Sequence, residues 1–289
     1  MISGSLKGNI ELFQFPPTLW PKRPFWEVYS WIMFKTTRVL PYPAWVYIKN
    51  SIILVAGQLF LQVPISALTG YALSKLFHPR WSRIMFMFFV GTLMVPGIVS
   101  LVPSYLILSH FPWASITVPK IPFTNIQMPS VRLLNSYWAV ILPSCANAFN
   151  ILLFKGFFDA IPNSIIQAAR VDGGSEFHIF RTIILPMSRP VLAVVGYFTF
   201  TGAWNSFIWP MIVMSAAPEK WPLALAIYTI QSQLSAAVPN APPTANLDPS
   251  YIGMNAVLAL SVIESIPVIV MFAIFREQLM KGIKIRGFK

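Results

Sequence analysis

The sequence predicts an all-α fold, a polytopic bundle of membrane-spanning helices. Three observations predict it. Of the 289 residues, 56% are hydrophobic and only 10% are charged, where a soluble domain carries about a quarter charged. The apolar residues gather in stretches of about 20, the length a helix needs to cross a bilayer. The Lys and Arg residues, 21 against 9 Asp and Glu, fall between those stretches and not in one patch.

The elements follow in order. Residues 1–48 precede the first span and read as a periplasmic or interfacial segment. Within it, Phe25 to Phe34 is aromatic-rich, flanked by Lys and Arg, and too short to cross. It reads as a helix lying at the interface. Residues 49–289 form the membrane domain. Its spans are expected at about 50–76, 84–108, 137–158, 191–214 and 254–275. Prolines lie inside or near several of them (Pro64, Pro96, Pro103, Pro143, Pro210, Pro267), and neighbouring helices make such prolines tolerable. Trp221 to Ala236 is short and mixed, with Gln231, Ser232 and Gln233, and reads as a periplasmic surface helix. The loops after Ser109 and Ala236 are rich in proline and should be irregular and stiff.

Charge sets the orientation. Lys75, Arg80 and Arg83 follow the first span. Lys155, Arg170, Arg181 and Arg189 lie between the third and fourth. Arg276, Lys281, Lys284, Arg286 and Lys289 are in the tail. The alternate loops carry only Lys120 and Arg132, or Lys220. The rich regions read as cytoplasmic, which puts the C-terminus of this multi-pass chain inside. Residues 1–48 then lie outside, although they hold Lys7, Lys22, Arg23, Lys35 and Arg38. Translocating them unaided opposes the charge rule, so a further membrane helix is expected before Met1.

Several function classes lose support. The basic balance, +12, shows no aromatic-interleaved patch, so nucleic acid is not an expected partner. No phosphate-binding Gly-x-x-x-x-Gly-Lys-Ser/Thr loop is present, so no cofactor is expected in this chain. His78, His110 and His178 are scattered, so no metal site is expected. Cys145 is the one cysteine and reads as a small buried residue. A polytopic membrane enzyme would need clustered polar residues near an interface, and no catalytic constellation is apparent.

The segment 159–186 is the unusual one. Asn163 or Ser164 is placed to cap a helix. Ile165, Ala168, Ala169 and Asp172 then fall at helical spacing, and Gly173 and Gly174 stop that helix. Ser175 starts a second short turn that leads into Ile183-Ile184-Leu185-Pro186. The product is a compact, small-residue knob with no long apolar face for lipid. It suits a socket on another protein.

Gln167-Ala168-Ala169, then Gly173, then Ile183-x-Leu185-Pro186 resembles the Glu-Ala-Ala signature of ABC importer permeases. Arg170-Val-Asp-Gly-Gly-Ser-Glu-Phe177 and Gly202-Ala-Trp-Asn205 are similar to the carbohydrate (maltose-type) branch. The resemblance runs from about Lys7 to the tail, and it implies a bacterial inner membrane as the chain's location. It implies a coupling helix carried by Gln167, Ala168, Ala169, Asp172, Gly173, Ile183, Leu185 and Pro186, seated in a cleft of an ATPase. It implies a second permease subunit, two ATPase subunits that bind ATP and Mg, and a periplasmic or extracellular solute-binding protein. The function it implies is half of the pathway for a carbohydrate, an oligosaccharide by preference, with another polar solute as the alternative. Gln167 departs from the family's Glu. Members have six spans and this chain shows five, which agrees with a missing first helix.

Two sets of residues are candidates for solute or partner contact. Tyr197, Trp204, Asn205 and Trp209 lie along the fourth span, with Tyr197 and Trp204 on one stripe and Asn205 and Trp209 on another. They read either as a lining of the pathway or as helix packing with an interfacial Trp belt. Glu264 lies inside the fifth span, where a carboxylate faces the bundle interior or water. It reads as a solute contact, a pair with a partner helix, or a structural group. The resemblance also implies that the outer loop contacts the binding protein, through Asn240, Asn246 and Asp248.

Overall fold

The computed structural model describes residues 1–36, 41–109, 133–237 and 253–284. Among these residues every regular element is a helix. Three short ones come first: α1 (Ile2–Ser5), α2 (Asn9–Leu12) and α3 (Glu27–Phe34). Then come α4 (Ala44–Tyr71), which continues as a π-helical turn over Ala72–Leu76, and α5 (Pro79–Met94). A 3₁₀ turn over Gly97–Ser100 leads into α6 (Leu101–Ser109). Next are α7 (Tyr137–Ser144) and α8 (Ala148–Asp159). The segment of interest holds α9 (Asn163–Val171), α10 (Glu176–Ile179), a π-helical turn Phe180–Ile184, and α11 (Leu185–Met187). Last are α12 (Arg189–Trp204), α13 (Ile208–Val213), α14 (Leu223–Ala237) and α15 (Met254–Lys284).

Three stretches are long and apolar enough to cross a membrane unaided: Ala44–Leu76, Tyr137–Asp159 and Met254–Gln278. Counting each of two bent pairs as one span gives up to five among the described residues, by length and composition. The first pair, Pro79–Met94 with Gly97–Ser109, is bent by 94°. Its cause is Pro96: Val95 before it is held extended, at φ −80° and ψ 120°, because the proline ring disfavours helix there. The second pair, Glu176–Met187 with Arg189–Trp204, is bent by 83°. Pro190 can give no N–H to the carbonyl of Pro186, and its ring would meet that carbonyl. The chain turns at Ser188, whose hydroxyl bonds the Ile184 carbonyl at 2.6 Å.

The stretch expected as one helix over 191–214 is also broken. α12 ends at Trp204, and α13 begins at Ile208. Pro210 explains the gap, since a continuous helix would need a proline N–H aimed at the Ser206 carbonyl. Starting a new helix at Ile208 puts Pro210 in a first turn, where no such bond is required. Pro64 and Pro267, by contrast, lie inside continuous α4 and α15.

The chain divides into two compact units. One comprises residues 1–54, 133–140 and 203–271; the other comprises the described parts of 55–132, 141–202 and 272–289. The first unit is organised by polar side chains. Asn50, buried on α4, donates to the carbonyls of Glu219 (2.9 Å) and Trp221 (3.0 Å) and accepts from the Tyr137 hydroxyl (2.8 Å). Ser51 accepts from the Leu223 N–H at 2.8 Å. Asn135, at φ 61°, donates its N–H to the Val213 carbonyl, and its own carbonyl accepts from Lys220. At the N-terminal end, Lys7 is buried and donates to the Thr18 carbonyl, and Glu11 accepts from Thr18 and Lys22.

The expectation of a surface helix over 221–236 does not hold. In α14, Leu223 to Ile227, Ile230 and Leu234 are buried. Gln231, Ser232 and Gln233 occupy its exposed side. Three adjacent polar residues fan over about 200° of a helix's circumference, and the remaining arc carries the buried Ile227, Ile230 and Leu234.

The second unit has an apolar core. Ala67, Tyr71, Phe154, Phe158, Ile161, Ile166, Ile179, Phe180, Ile184, Val191 and Val195 form one buried cluster. α4 and α8 touch closely within it. A Cβ added at Gly70 would lie 2.7 Å from the Phe154 Cβ and 3.1 Å from the Lys155 amide nitrogen, so only glycine fits the crossing. Asn150 on α8 reaches Thr199 on α12 at 3.1 Å, and both are buried. α5 contributes no buried side chain, and Trp81, Met87, Phe88, Leu93 and Met94 are all exposed. Such a face is untenable in water and ordinary in lipid.

Candidate functional site

α8 ends at Asp159 with Ala160 as its C-cap, and Ile161 turns inward to the apolar cluster. α9 follows after Pro162. Its N-cap is that proline, at φ −58° and ψ 132°, with no side-chain cap, which corrects the expected Asn163 or Ser164. The Asn163 carboxamide is used elsewhere: its Oδ1 accepts from the Lys75 ammonium at 2.7 Å.

The C-terminus of α9 forms as its glycines require. Gly173 has φ +83°, a region that costs an L side chain strain. Its N–H donates to the Arg170 carbonyl at 3.0 Å, and the Gly174 N–H reaches back to the Ala169 carbonyl at 2.9 Å. This paired closure satisfies the last carbonyls of the helix. Ser175 then caps α10 by accepting from the His178 N–H. Beyond it, Ile179, Phe180 and Ile184 return to the core.

The result is a helix held by one edge. Ile166 is buried and Ala169 is half-buried against the cluster. Gln167, Ala168, Arg170, Asp172 and Gly173 are exposed. So are two apolar side chains that sequence reasoning passed over, Val171 at 87% and Phe177 at 65% of full exposure. Ile183 and Leu185 are half-buried, and Pro186 is exposed at the bend. The eight residues expected in a coupling role thus fall on one contiguous stretch of chain. His178 is exposed.

Arg170 Nε donates to the Glu176 carboxylate at 2.6 Å. That charge-assisted bond, first among the causes, holds the guanidinium pKa above its ordinary value. Both side chains are about two-fifths exposed, so the pair adds little to stability.

Two of the other candidates meet. Trp204 is buried, and its indole N–H donates to the backbone carbonyl of Glu264 at 2.9 Å. Trp209 is half-buried and donates to the Ala139 carbonyl at 3.0 Å. Both indoles therefore tie one element to another. Asn205 is exposed in the break between α12 and α13. Because of that break the Asn205–Trp209 stripe does not form, whereas Tyr197 and Trp204, seven residues apart, share a face of the unbroken α12. Tyr197 is half-buried, with its ring 6.5 Å from that of Phe272. Glu264 is half-buried in α15. Asn240, Asn246 and Asp248 lie outside the described residues. Among the described residues, no group of three His, Cys, Asp or Glu is placed to hold a metal.

Comparison with known proteins agrees with this architecture. The family described as "Binding-protein-dependent transport system inner membrane component" matches residues 62–282. Protein LplC of Bacillus subtilis (strain 168) is 27% identical over 291 residues, spanning 100% of this chain and 87% of its own length. The sn-glycerol-3-phosphate transport system permease protein UgpE of Salmonella typhi is 28% identical; the match takes in 71% of this chain and 65% of that relative. A solved bacterial ABC transporter involved in the import of the acidic polysaccharide alginate shares the fold, with a TM-score of 0.74 at 23% identity. The match covers 96% of this chain and 88% of that one. The family is one of transport membrane components, which are not catalytic alone. The chain belongs to the binding-protein-dependent transport system inner membrane components.

Proposed function

We propose that this chain is one of two membrane-spanning subunits of an ATP-driven importer, and that its solute is an oligosaccharide. The observation that carries the reading is α9: a helix anchored by Ile166 and Ala169, with Gln167, Ala168, Val171 and Phe177 presented outward. An exposed apolar pair beside small residues suits insertion into a cleft of another protein. In this reading α9 is the coupling helix. It docks in an ATPase subunit, and two such subunits bind ATP and Mg. The segment 159–186 and the C-terminus lie in the cytoplasm, as the alternation of Lys and Arg supports. A solute-binding protein docks on the other side, against the loop holding Asn240, Asn246 and Asp248.

The carbohydrate reading draws on the alginate importer of like fold and on the chemistry of the candidate path. Tyr197, Asn205 and Glu264 offer a ring face, an amide and a carboxylate, which suit hydroxyl groups. The relationship to UgpE favours a second reading, a phosphorylated polyol. Against it, Glu264 would repel a phosphate.

The decisive experiment purifies the chain with its partner subunit and ATPases, reconstitutes it with the binding protein, and measures ATP hydrolysis. Oligosaccharides should stimulate it and sn-glycerol-3-phosphate should not. The reverse pattern removes the carbohydrate, and failure of any ATPase to co-elute removes the coupling role of α9. Glu264→Ala that leaves both assembly and uptake unchanged takes Glu264 off the path.

A further inference from the structure

Two π-helical turns occur among the described residues, Ala72–Leu76 after α4 and Phe180–Ile184 after α10. Such turns are rare and concentrate at functional sites. Here both adjoin one residue. Tyr71 immediately precedes the first, and its ring lies against Phe180, the first residue of the second, with centroids 5.3 Å apart.

Tyr71 is 3% exposed, yet its hydroxyl donates to the Glu176 carboxylate at 2.8 Å. The other oxygen of that carboxylate accepts from Arg170, near the end of α9. One turn beyond Tyr71, the Lys75 ammonium donates to the Ile161 carbonyl at 2.8 Å and to Asn163, the first residue of α9, at 2.7 Å. The end of α4 therefore touches both ends of α9. Lys75 holds the start, and Tyr71 holds the finish through Glu176 and Arg170.

We propose that Tyr71 and Lys75 are positioning residues that clamp α9 to α4, so that a displacement of α9 is passed to a membrane span and not absorbed by the turns on either side of it. This rests on the reading of α9 as the ATPase-docking helix. Apolar contacts already bury Ile166, Ile179 and Ile184, but such contacts are non-directional. The hydrogen bonds at each end fix the rotation and register of α9 in a way the apolar cluster does not.

The test uses the complex assembled with its ATPases. Nitroxide labels are placed at Ser164→Cys on α9, an exposed position outside the docking set, and Phe60→Cys on α4, in a Cys145→Ala background. The distance between them is measured by pulsed electron resonance, without nucleotide and with ATP plus vanadate. The clamp requires the same distance in both states for the parent. It requires a broadened, shifted distribution in the Tyr71→Phe/Lys75→Met double variant and a smaller shift in Tyr71→Phe alone, which removes one oxygen and leaves the ring in place. A parent distance that changes between states overturns the clamp, as does a double variant as narrow as the parent. Absence of the ATPases from the purified parent complex is a separate result: it defeats the docking reading, and the clamp's role in transport with it.

Discussion

Asn50 makes three hydrogen bonds from one carboxamide, to Glu219, Trp221 and Tyr137. Replacing it by alanine leaves two carbonyls and a phenol without this partner inside the first unit. In a membrane bundle this should cost roughly 2 kcal/mol, read as a lowered melting midpoint of the detergent-solubilised protein. Nothing near Asn50 in the sequence announces this, because its partners lie more than 80 positions away. Tyr71 and Lys75 were hidden in the same manner. Gly173 was legible, since a glycine pair after a helical pattern predicts a left-handed residue. Trp204 and Trp209 were legible as residues of interest, with lining and packing both open. Their indole N–H bonds to the Glu264 and Ala139 carbonyls were not legible, because those partners lie 60 and 70 positions away.

Among the elements, α9 depends on its closing turn. Gly173→Ala puts a Cβ at φ +83° and should cost about 1–2 kcal/mol. The cost falls on the last turn of α9, so recovery of the ATPase in co-purification should drop while the membrane-inserted fraction stays constant. The contact of α4 with α8 is tighter still. Gly70→Ala drives a methyl into the Phe154 Cβ and the Lys155 backbone, and only a shift of helix axes relieves it. A loss of roughly 1–3 kcal/mol follows, measurable by thermal unfolding in detergent. Hydropathy reports apolar length, because burial of that length is a summed property of about 20 residues. It did not report the direction of the backbone. The bends of 94° and 83° arise from single prolines inside windows that still average as apolar. α14 was misjudged for the opposite reason, since three polar residues outweighed the apolar ones around them.

For the whole molecule, the apolar outer surface decides its behaviour. Exposed side chains of α5, α6 and α15, such as Met87, Val102, Ile107, Ile269 and Phe272, demand a hydrocarbon surrounding. Washing membranes with alkaline carbonate should leave the chain in the pellet, and detergent should release it; release by carbonate alone would contradict a multi-pass insertion. One part of that surface has a further consequence. α5 sends no side chain into the core. Positions such as Met87, Leu93 and Met94 are then held by hydropathy alone where lipid meets them, and by shape where a second protein does. A saturation library over α5 scored for growth on the transported solute would draw that boundary directly. Sites that accept any apolar side chain trace the lipid, and sites that accept only one trace the neighbouring subunit.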